Sequence, residues 1–499
     1  MTGCKPGTQT TASRRLGLGV LLAIAIVLPA VAADTVAERP RPNFVLIIGD
    51  DISIDDFGCY GHPRIRTPNI DRLAARGMRF TNAYLTASQC SPTRCSIITG
   101  RYPHNTGACE LHTPLPEGQP LFPRELKQAG YYCVQAGKWH LGGYPKVAFD
   151  HAYETTDGGP GAEGRWVRCL QERPRDKPFF MWFASTDAHR TWQPDADARP
   201  HAPADAVIPP YMADMPGTRD DLRQYYDEIQ RLDRHVGLVV DELKRQEVLD
   251  NTLIIVMADN GRPFPRCKTW LYDSGIKTPF VVHWPAGIPK ADRVCDAFIS
   301  AIDIAPTLLE LAGLRPAPAV QGLSFAALLP EPDRQIRRHA FAEHNWHDQT
   351  AHERMVRSGR YVYIRNARPE LDNVVLAHRD VPSYQDLFQL REQGRLTAAQ
   401  ADVFRAPRPA EALFDVEADP HQLTNLVDDP AAAEAIETMR KLMDEWQKQT
   451  GDTTPATLTG DSFDRKTGEP KYKRRQRPQR GTMPGTETNA TGIHHPGPR

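Results

Sequence analysis

The sequence predicts an α/β fold: a large, mostly parallel sheet flanked by helices, with a smaller α+β domain after it. Two observations carry this. Short, almost wholly apolar segments alternate with segments of helical periodicity, the pattern of parallel strands covered on both faces. From about residue 336 the pattern changes to antiparallel strands and turns. A chain of 499 residues is long enough for both domains.

The first strand is "PNFVLIIGDD", with Phe44 to Ile48 buried and Asp50 and Asp51 at its carboxyl end. "TPNIDRLAARG" reads as a helix, with Thr67 as N-cap, Pro68 as first residue and Gly77 as stop. Ser91 and Pro92 begin another helix, which places Cys90 just before its N-terminus and Arg94 in its first turn. "FPRELKQAG" is a short helix, and "YYCVQAG" and "PFFMWFAS" are strands. Leu222, Tyr225, Ile229, Leu232, Val236 and Val240 recur at helical spacing in a long helix over 221–249. "TLIIVMADNG" is a buried strand ending in Asp259 and Asn260; "PFVVHWP" is another, and "DIAPTLLELAG" a helix capped by Asp303. In the second domain "HAFAEH", "RMVRSGRYVYIRN" and "EALFDVEADPHQLTNL" give strands and turns, and a helix runs from about 430 to 448. The domain reading is therefore 1–33 signal peptide, 34–335 large domain, 336–450 small domain, and 451–499 a polar, basic, flexible tail. Its basic run "KYKRRQRPQR" reads first as solvated, and second as weakly attractive to a polyanionic glycan.

Arg14 and Arg15, then "LGLGVLLAIAIVLPAVAA", give the basic and apolar regions of a secretory signal cleaved near Ala32–Ala33. An exported protein, periplasmic or secreted, is expected. No later segment is apolar for long enough to span a bilayer. The formal net charge of -1 argues against a general nucleic-acid binder. Eight cysteines follow the signal without a CxxC pair, so no structural zinc site is expected, although an oxidising compartment allows a bridge or two.

In open parallel sheets, ligands sit beyond the carboxyl ends of the strands. Asp50, Asp51, Asp259 and Asn260 lie there as hard oxygen donors with no histidine beside them, a set suited to Ca²⁺ or Mg²⁺. Asp187 and His189 follow another strand end. An anionic group at Cys90 would meet both a helix N-terminus and the Arg94 guanidinium.

"CSPTR" at 90–94, continued by "SIITGRYPHNTG", resembles the Cys-x-Pro-x-Arg signature of the type I, formylglycine-dependent sulfatases. Cys95 lacks the Pro and Arg. "PNFVLIIGDDISIDDFGCYG" resembles the family's opening metal strand, "AGKWHLGG" its Lys-x-His element, "ADNG" its second metal element, and "ALFDVEADPHQLTNL" its C-terminal hairpin. The resemblance implies an alkaline-phosphatase-like sulfatase fold and a formylglycine made from Cys90 by a maturation enzyme. It also implies Ca²⁺, with Mg²⁺ second, held by Asp50, Asp51, Asp259, Asn260 and the modified Cys90. Arg94 would orient the formylglycine, and Lys138, His140, His189 and Lys268 would surround the sulfate. A hydroxyl of the hydrated aldehyde would attack sulfur, a histidine would protonate the leaving atom, and the second hydroxyl would expel sulfate. A serine has no second hydroxyl for that last step.

"DNGRPFPRCKTWLYDSGIKTPFVV", "SYQDLFQL" and "AEHNWHD" resemble the heparan N-sulfatase branch, with Lys268 standing where that branch carries arginine. This implies a sulfated glycan substrate, N-sulfoglucosamine of heparin or heparan-type saccharides first. His347 is expected to contact the sugar, with Asp187, Glu343 and His112 as further candidates. Two other readings stay open. One is an O-sulfatase, or a phosphonate or phosphodiester hydrolase, on the same fold. The other is a secreted glycan-binding protein without turnover.

Overall fold

β1 (Asn43–Gly49) is buried along its whole length and lies inside an eight-stranded sheet. The computed structural model describes residues 41–154, 158–195, 199–372, 378–473 and 476–499, so the expected signal peptide, 1–33, lies outside the described residues. The other strands of this sheet are β2 (Met78–Tyr84), β3 (Tyr132–Gly137), β4 (His151–Tyr153), β5 (Phe179–Ala184), β6 (Thr252–Ala258), β7 (Phe280–His283) and β8 (Arg293–Ser300). Their order is β4-β3-β5-β1-β6-β7-β2-β8. β7 runs antiparallel to both neighbours, and the other pairs are parallel. The sheet is thus the mostly parallel one expected. β2 and β8 escaped the sequence reading because they alternate buried and exposed positions, and β4 because it is three residues long.

The two faces of β1 feed two cores. Phe44, Leu46 and Ile48 pack on one side of the sheet, and Val45 and Ile47 on the other. The long helix Pro216–Arg245 covers the second side with Leu222, Tyr225, Ile229, Leu232 and Val236, all fully buried. Burying such an aliphatic side chain contributes about 2 kcal/mol. The helix starts earlier than the pattern suggested because Pro216 suits a first helical position.

Register levels the strand ends. Gly49 lies opposite Ala258, Ile48 opposite Ala184, and Gly137 also opposite Ala184. Asp50, Asp259, Ser185 and Lys138 therefore emerge together at the carboxyl edge. Gly137 has φ +98°, and a Cβ there would stand 1.9 Å from the Ala184 carbonyl oxygen, so only glycine lets β3 approach β5 before Lys138.

The second sheet is antiparallel, in the order β12 (Glu411–Asp415), β11 (Tyr361–Asn366), β10 (Glu353–Ser358) and β9 (His339–His344). Helix Ala433–Thr450 packs on it through Ile436, Met439, Met443 and Trp446, the last stacked on Phe341 at 5.1 Å. This matches the small α+β domain read from sequence.

The tail is a correction. Residues from 451 were expected free and solvated, but the described ones are tied down. Arg101 donates to the carbonyls of Thr491 (2.8 Å) and Ile493 (2.9 Å), Tyr102 to that of Pro496 (3.2 Å), and Trp346 Nε1 to that of Gly460 (2.7 Å). Buried polar side chains of the large domain need acceptors, and tail carbonyls supply them; composition carries no trace of that. The eight described cysteines are free thiols rather than bridged, and no described helix is long and apolar enough to cross a membrane.

His352, 2% exposed, sits under this tail, its Nε2 2.9 Å from the Thr453 carbonyl. Burial, with the nearby Arg354 charge, holds it down to about 4. Between its unfolded value of about 6.5 and 4, the unfolded chain binds a proton that the fold refuses, so stability falls as pH falls through this window. His352→Gln is expected to lessen by about 2 kcal/mol the stability lost between pH 7 and 5, measured by urea unfolding. An unchanged pH slope would refute this.

Candidate active site

The helix that carries the two cysteines spans Cys90–Thr99, two residues earlier than expected, with Gln89 as N-cap in extended backbone. Ser91 does not cap it; its hydroxyl accepts from the His112 backbone N–H at 2.8 Å. Cys90 thus lies in the first turn, 1% exposed, its Sγ 3.7 Å from Asp50 Oδ1 and 3.9 Å from Asp51 Oδ1. Burial pushes this thiol up to about 12, against the pull of Lys138 and Lys268, so it is a poor thiolate. Cys95 on the same helix faces the apolar core.

Arg94 is fully buried and near enough to Cys90 for the two to interact electrostatically. Its Nε donates to Asp259 Oδ2 at 2.8 Å, which ties the helix to the end of β6. Its Nη2 is buried without a hydrogen-bond partner. A buried guanidinium donor left unpaired costs free energy, and an anion bound beside Cys90 would remove that cost.

The acidic pairs converge as the register requires. Ligand atoms of Asp50, Asp51, Cys90 and Asp259 all lie within 4.8 Å of one another. Asn260 donates to Asp51 Oδ1 (2.6 Å) and to the Gly261 carbonyl (2.9 Å), which leaves its own Oδ1 buried without a donor. Three buried carboxylates and a spare amide oxygen fit a hard divalent cation. Asp51 takes a left-handed backbone, φ 61°, of the kind that clusters at functional sites. β5 steadies β1 beyond its end: Asp50 N–H donates to the Asp187 carbonyl (2.7 Å), and Ala188 N–H to the Asp50 carbonyl (2.6 Å).

Two lysines balance this charge. Lys138 Nζ contacts Asp50, and Lys268 Nζ reaches both Asp51 oxygens at 2.7 and 2.8 Å. Burial disfavours an ionised Asp51, but Lys268, His189 and Lys138 outweigh it and hold the carboxyl below its ordinary value. Burial likewise opposes charge on Lys138, but Asp50 outweighs it and raises the lysine. His189 Nε2 stands 3.9 Å from Asp51 Oδ2, and the ring is 43% exposed. His140 Nε2 bonds His112 Nδ1, both residues at positive φ (62° and 63°). Burial and then Lys138 hold His140 down to about 2; burial, then Arg477 and Arg480, hold His112 down to about 4. Both rings are neutral near pH 7.

A cavity of about 300 Å³ opens on this cluster, lined by Asp51, His189, Lys268 and His347, among others. Three expected sugar contacts are not among its lining residues: His112, which bonds His140, and two carboxylates. Asp187 is 1% exposed, with both carboxylate oxygens on Arg231. Glu343 is fully buried and accepts from His104 and Asn345 at 2.8 Å each. Proximity in sequence to His189 and to His347 did not reveal which way each carboxylate points. Lining residues not named as candidates include Arg190, His378, Tyr384 and Phe463. Arg190 is fixed by Asp221 (2.5 and 2.7 Å) and lies over Trp192 and Phe264 at 4.5 and 4.7 Å. His378 stacks on Tyr384 at 4.9 Å. Only Tyr384 fell in a segment singled out by sequence, "SYQDLFQL"; the others carry no local signal.

Comparison with known proteins adds to this geometry. The family model "Sulfatase" matches residues 42–314, and "N-sulphoglucosamine sulphohydrolase, C-terminal" matches residues 266–390. Human N-sulphoglucosamine sulphohydrolase is 30% identical over 459 residues, covering 83% of this chain and 91% of that protein. An ulvan-active sulfatase of Formosa agariphila is 30% identical over 470 residues, covering 83% and 76%. Among solved structures, a protein in complex with its substrate D-glucosamine-2-N,6-O-disulfate has a TM-score of 0.62 at 20% identity, covering 82% of this chain and 98% of that one. At that identity it shows the shared fold.

Proposed function

The chain belongs to the sulfatase family and is a hydrolase of sulfate esters; from that premise we propose that it removes sulfate from N-sulfoglucosamine in heparin or heparan-type saccharides. The observation that carries the substrate reading is the cavity wall. Lys268, His347, His378 and Tyr384 line it, and all four come from the segment that matches the N-sulphoglucosamine sulphohydrolase C-terminal model.

In this reading Cys90 is oxidised by a maturation enzyme to formylglycine. Asp50, Asp51, Asp259 and Asn260 hold Ca²⁺ beside it. The hydrated aldehyde supplies a nucleophilic oxygen, and the cation supplies charge against the anionic substrate. The chain's own groups do the rest. Arg94 Nη2 and the Lys138 and Lys268 ammonium groups offset charge as it shifts onto the sulfate oxygens. Breaking an N–S bond leaves an amine nitrogen that needs a proton. His189, at the cavity and partly exposed, is placed to give it, and the neutral His140–His112 pair presents a second imidazole on the Lys138 side. His347, lodged in the wall, presents a polar edge to the sugar. Export to the periplasm or medium places the enzyme with polymeric glycan.

The test is sulfate release from matched substrates. Mature enzyme is expected to desulfate N-sulfoglucosamine with kcat/KM at least ~10²-fold above that for glucosamine 6-O-sulfate, p-nitrophenyl sulfate or a phosphonate monoester, the scale at which a site built for one polar group rejects another. Preference for any of the last three would replace the substrate reading.

A further inference from the structure

The tail does more than satisfy the large domain: it reaches the mouth of the cavity. Residues 462–471 form a hairpin. Phe463 and Pro470 pair across it, and Lys471 N–H donates to the Ser462 carbonyl at 2.8 Å. Phe463 lines the cavity, and Ser462 N–H donates to the carbonyl of Asp348, another lining residue, at 2.7 Å. The hairpin is also pinned to the opposite wall, next to His378. Arg379 reaches Glu469 at 2.7 Å and the Thr467 carbonyl at 3.3 Å.

From Lys471 the chain returns to the far side of the site. Arg480 pairs with Glu110 (2.6 Å), donates to the Leu111 carbonyl (2.6 Å) and lies 4.7 Å over Trp346. Leu111 precedes His112, which bonds His140. The described residues 471–473 and 476–480 therefore lie between Asp348 at the cavity and the His112–His140 pair. They are basic and contain no carboxylate. Lys471, Lys473 and Arg477 are exposed, and Tyr472 presents an exposed ring at 38%.

A limb that served only to fasten the tail would need Arg480 and backbone contacts, not exposed cations beside an anion-binding site. We propose that residues 471–473 and 476–480 form a binding wall for the acidic saccharide joined to the sugar being desulfated. Lys473 and Arg477 meet its carboxylate and sulfate groups, and Tyr472 lies against a ring face. The proposal rests on the glycan reading above and extends it. It makes the enzyme one that holds a chain end rather than a free monosaccharide.

The test uses the metal-loaded Cys90→Ala protein, which binds without turning over, with and without Lys473→Ala and Arg477→Ala. Calorimetry compares N-sulfoglucosamine with a heparin-derived tetrasaccharide that carries N-sulfoglucosamine at its non-reducing end. The double substitution is expected to weaken tetrasaccharide binding roughly five- to tenfold, the scale for two exposed charge contacts, and to flatten its salt dependence. In active enzyme the tetrasaccharide-to-monosaccharide kcat/KM ratio is expected to fall by the same factor. Tetrasaccharide binding equal to that of the parent overturns the wall. Equal weakening for both ligands also overturns it, because the two residues would then act on the sugar pocket. Sulfate release by unsubstituted enzyme is a separate readout: its failure on N-sulfated substrates removes the substrate reading, while reduced tetrasaccharide binding would still support the wall.

Discussion

Cys90→Ala is expected to lower sulfate release by ~10³-fold or more, about 4 kcal/mol in the barrier, while the protein stays folded. The proposed mechanism needs an oxygen nucleophile at Cys90. Its thiol is buried 3.7 Å from the Asp50 carboxylate and pushed up to about 12, so as a thiol it is almost wholly protonated at neutral pH. In the proposed mechanism, what Cys90 becomes, rather than what it is, carries the chemistry. Losing one sulfur from a well-packed turn costs only ~1 kcal/mol of stability. Cys95→Ala is the matched control: the same element and burial, but facing the apolar core. Mass spectrometry of the peptide spanning 87–101 should show an aldehyde at Cys90 in active preparations. Turnover by folded Cys90→Ala at the parent rate would sink the mechanism.

Asp259→Ala is expected to cost the protein its metal as well as its activity. One oxygen of Asp259 accepts from Arg94 and the other from the Asp51 N–H. Removing it takes a ligand from the cation site and leaves Arg94 buried with its charge unpaired. Breaking a buried pair in this way costs about 3–5 kcal/mol. Metal bound after dialysis, by elemental analysis, is expected to fall to background, and kcat/KM by ~10²-fold or more. Asp259→Asn keeps the shape of the site and one of its two acceptors, and is the variant to use if the alanine protein fails to fold. Full metal content and activity in Asp259→Asn would remove the cation assignment.

The sequence disclosed this site well where chemistry follows strand ends. Asp50, Asp51, Lys138 and Asp259 each directly follow a buried apolar run, and the register of parallel strands then leaves little freedom in where they meet. It disclosed less where direction matters. Asp187 and Glu343 lie two and four positions from His189 and His347 in sequence yet turn to Arg231 and His104, buried partners that no local spacing predicts. The tail was misjudged for a different reason. Its polar composition resembles that of a solvated segment, and its contacts are mostly backbone carbonyls, which every residue has.

Arg101 closes the turn just after the helix that bears Cys90, and its guanidinium is clamped by carbonyls of residues 491 and 493. Those contacts form only after nearly 400 further residues have been synthesised. The helix that bears Cys90 therefore draws part of its support from residues far along the chain, and loss of the carbonyls at 491 and 493 is expected to loosen the turn that follows it.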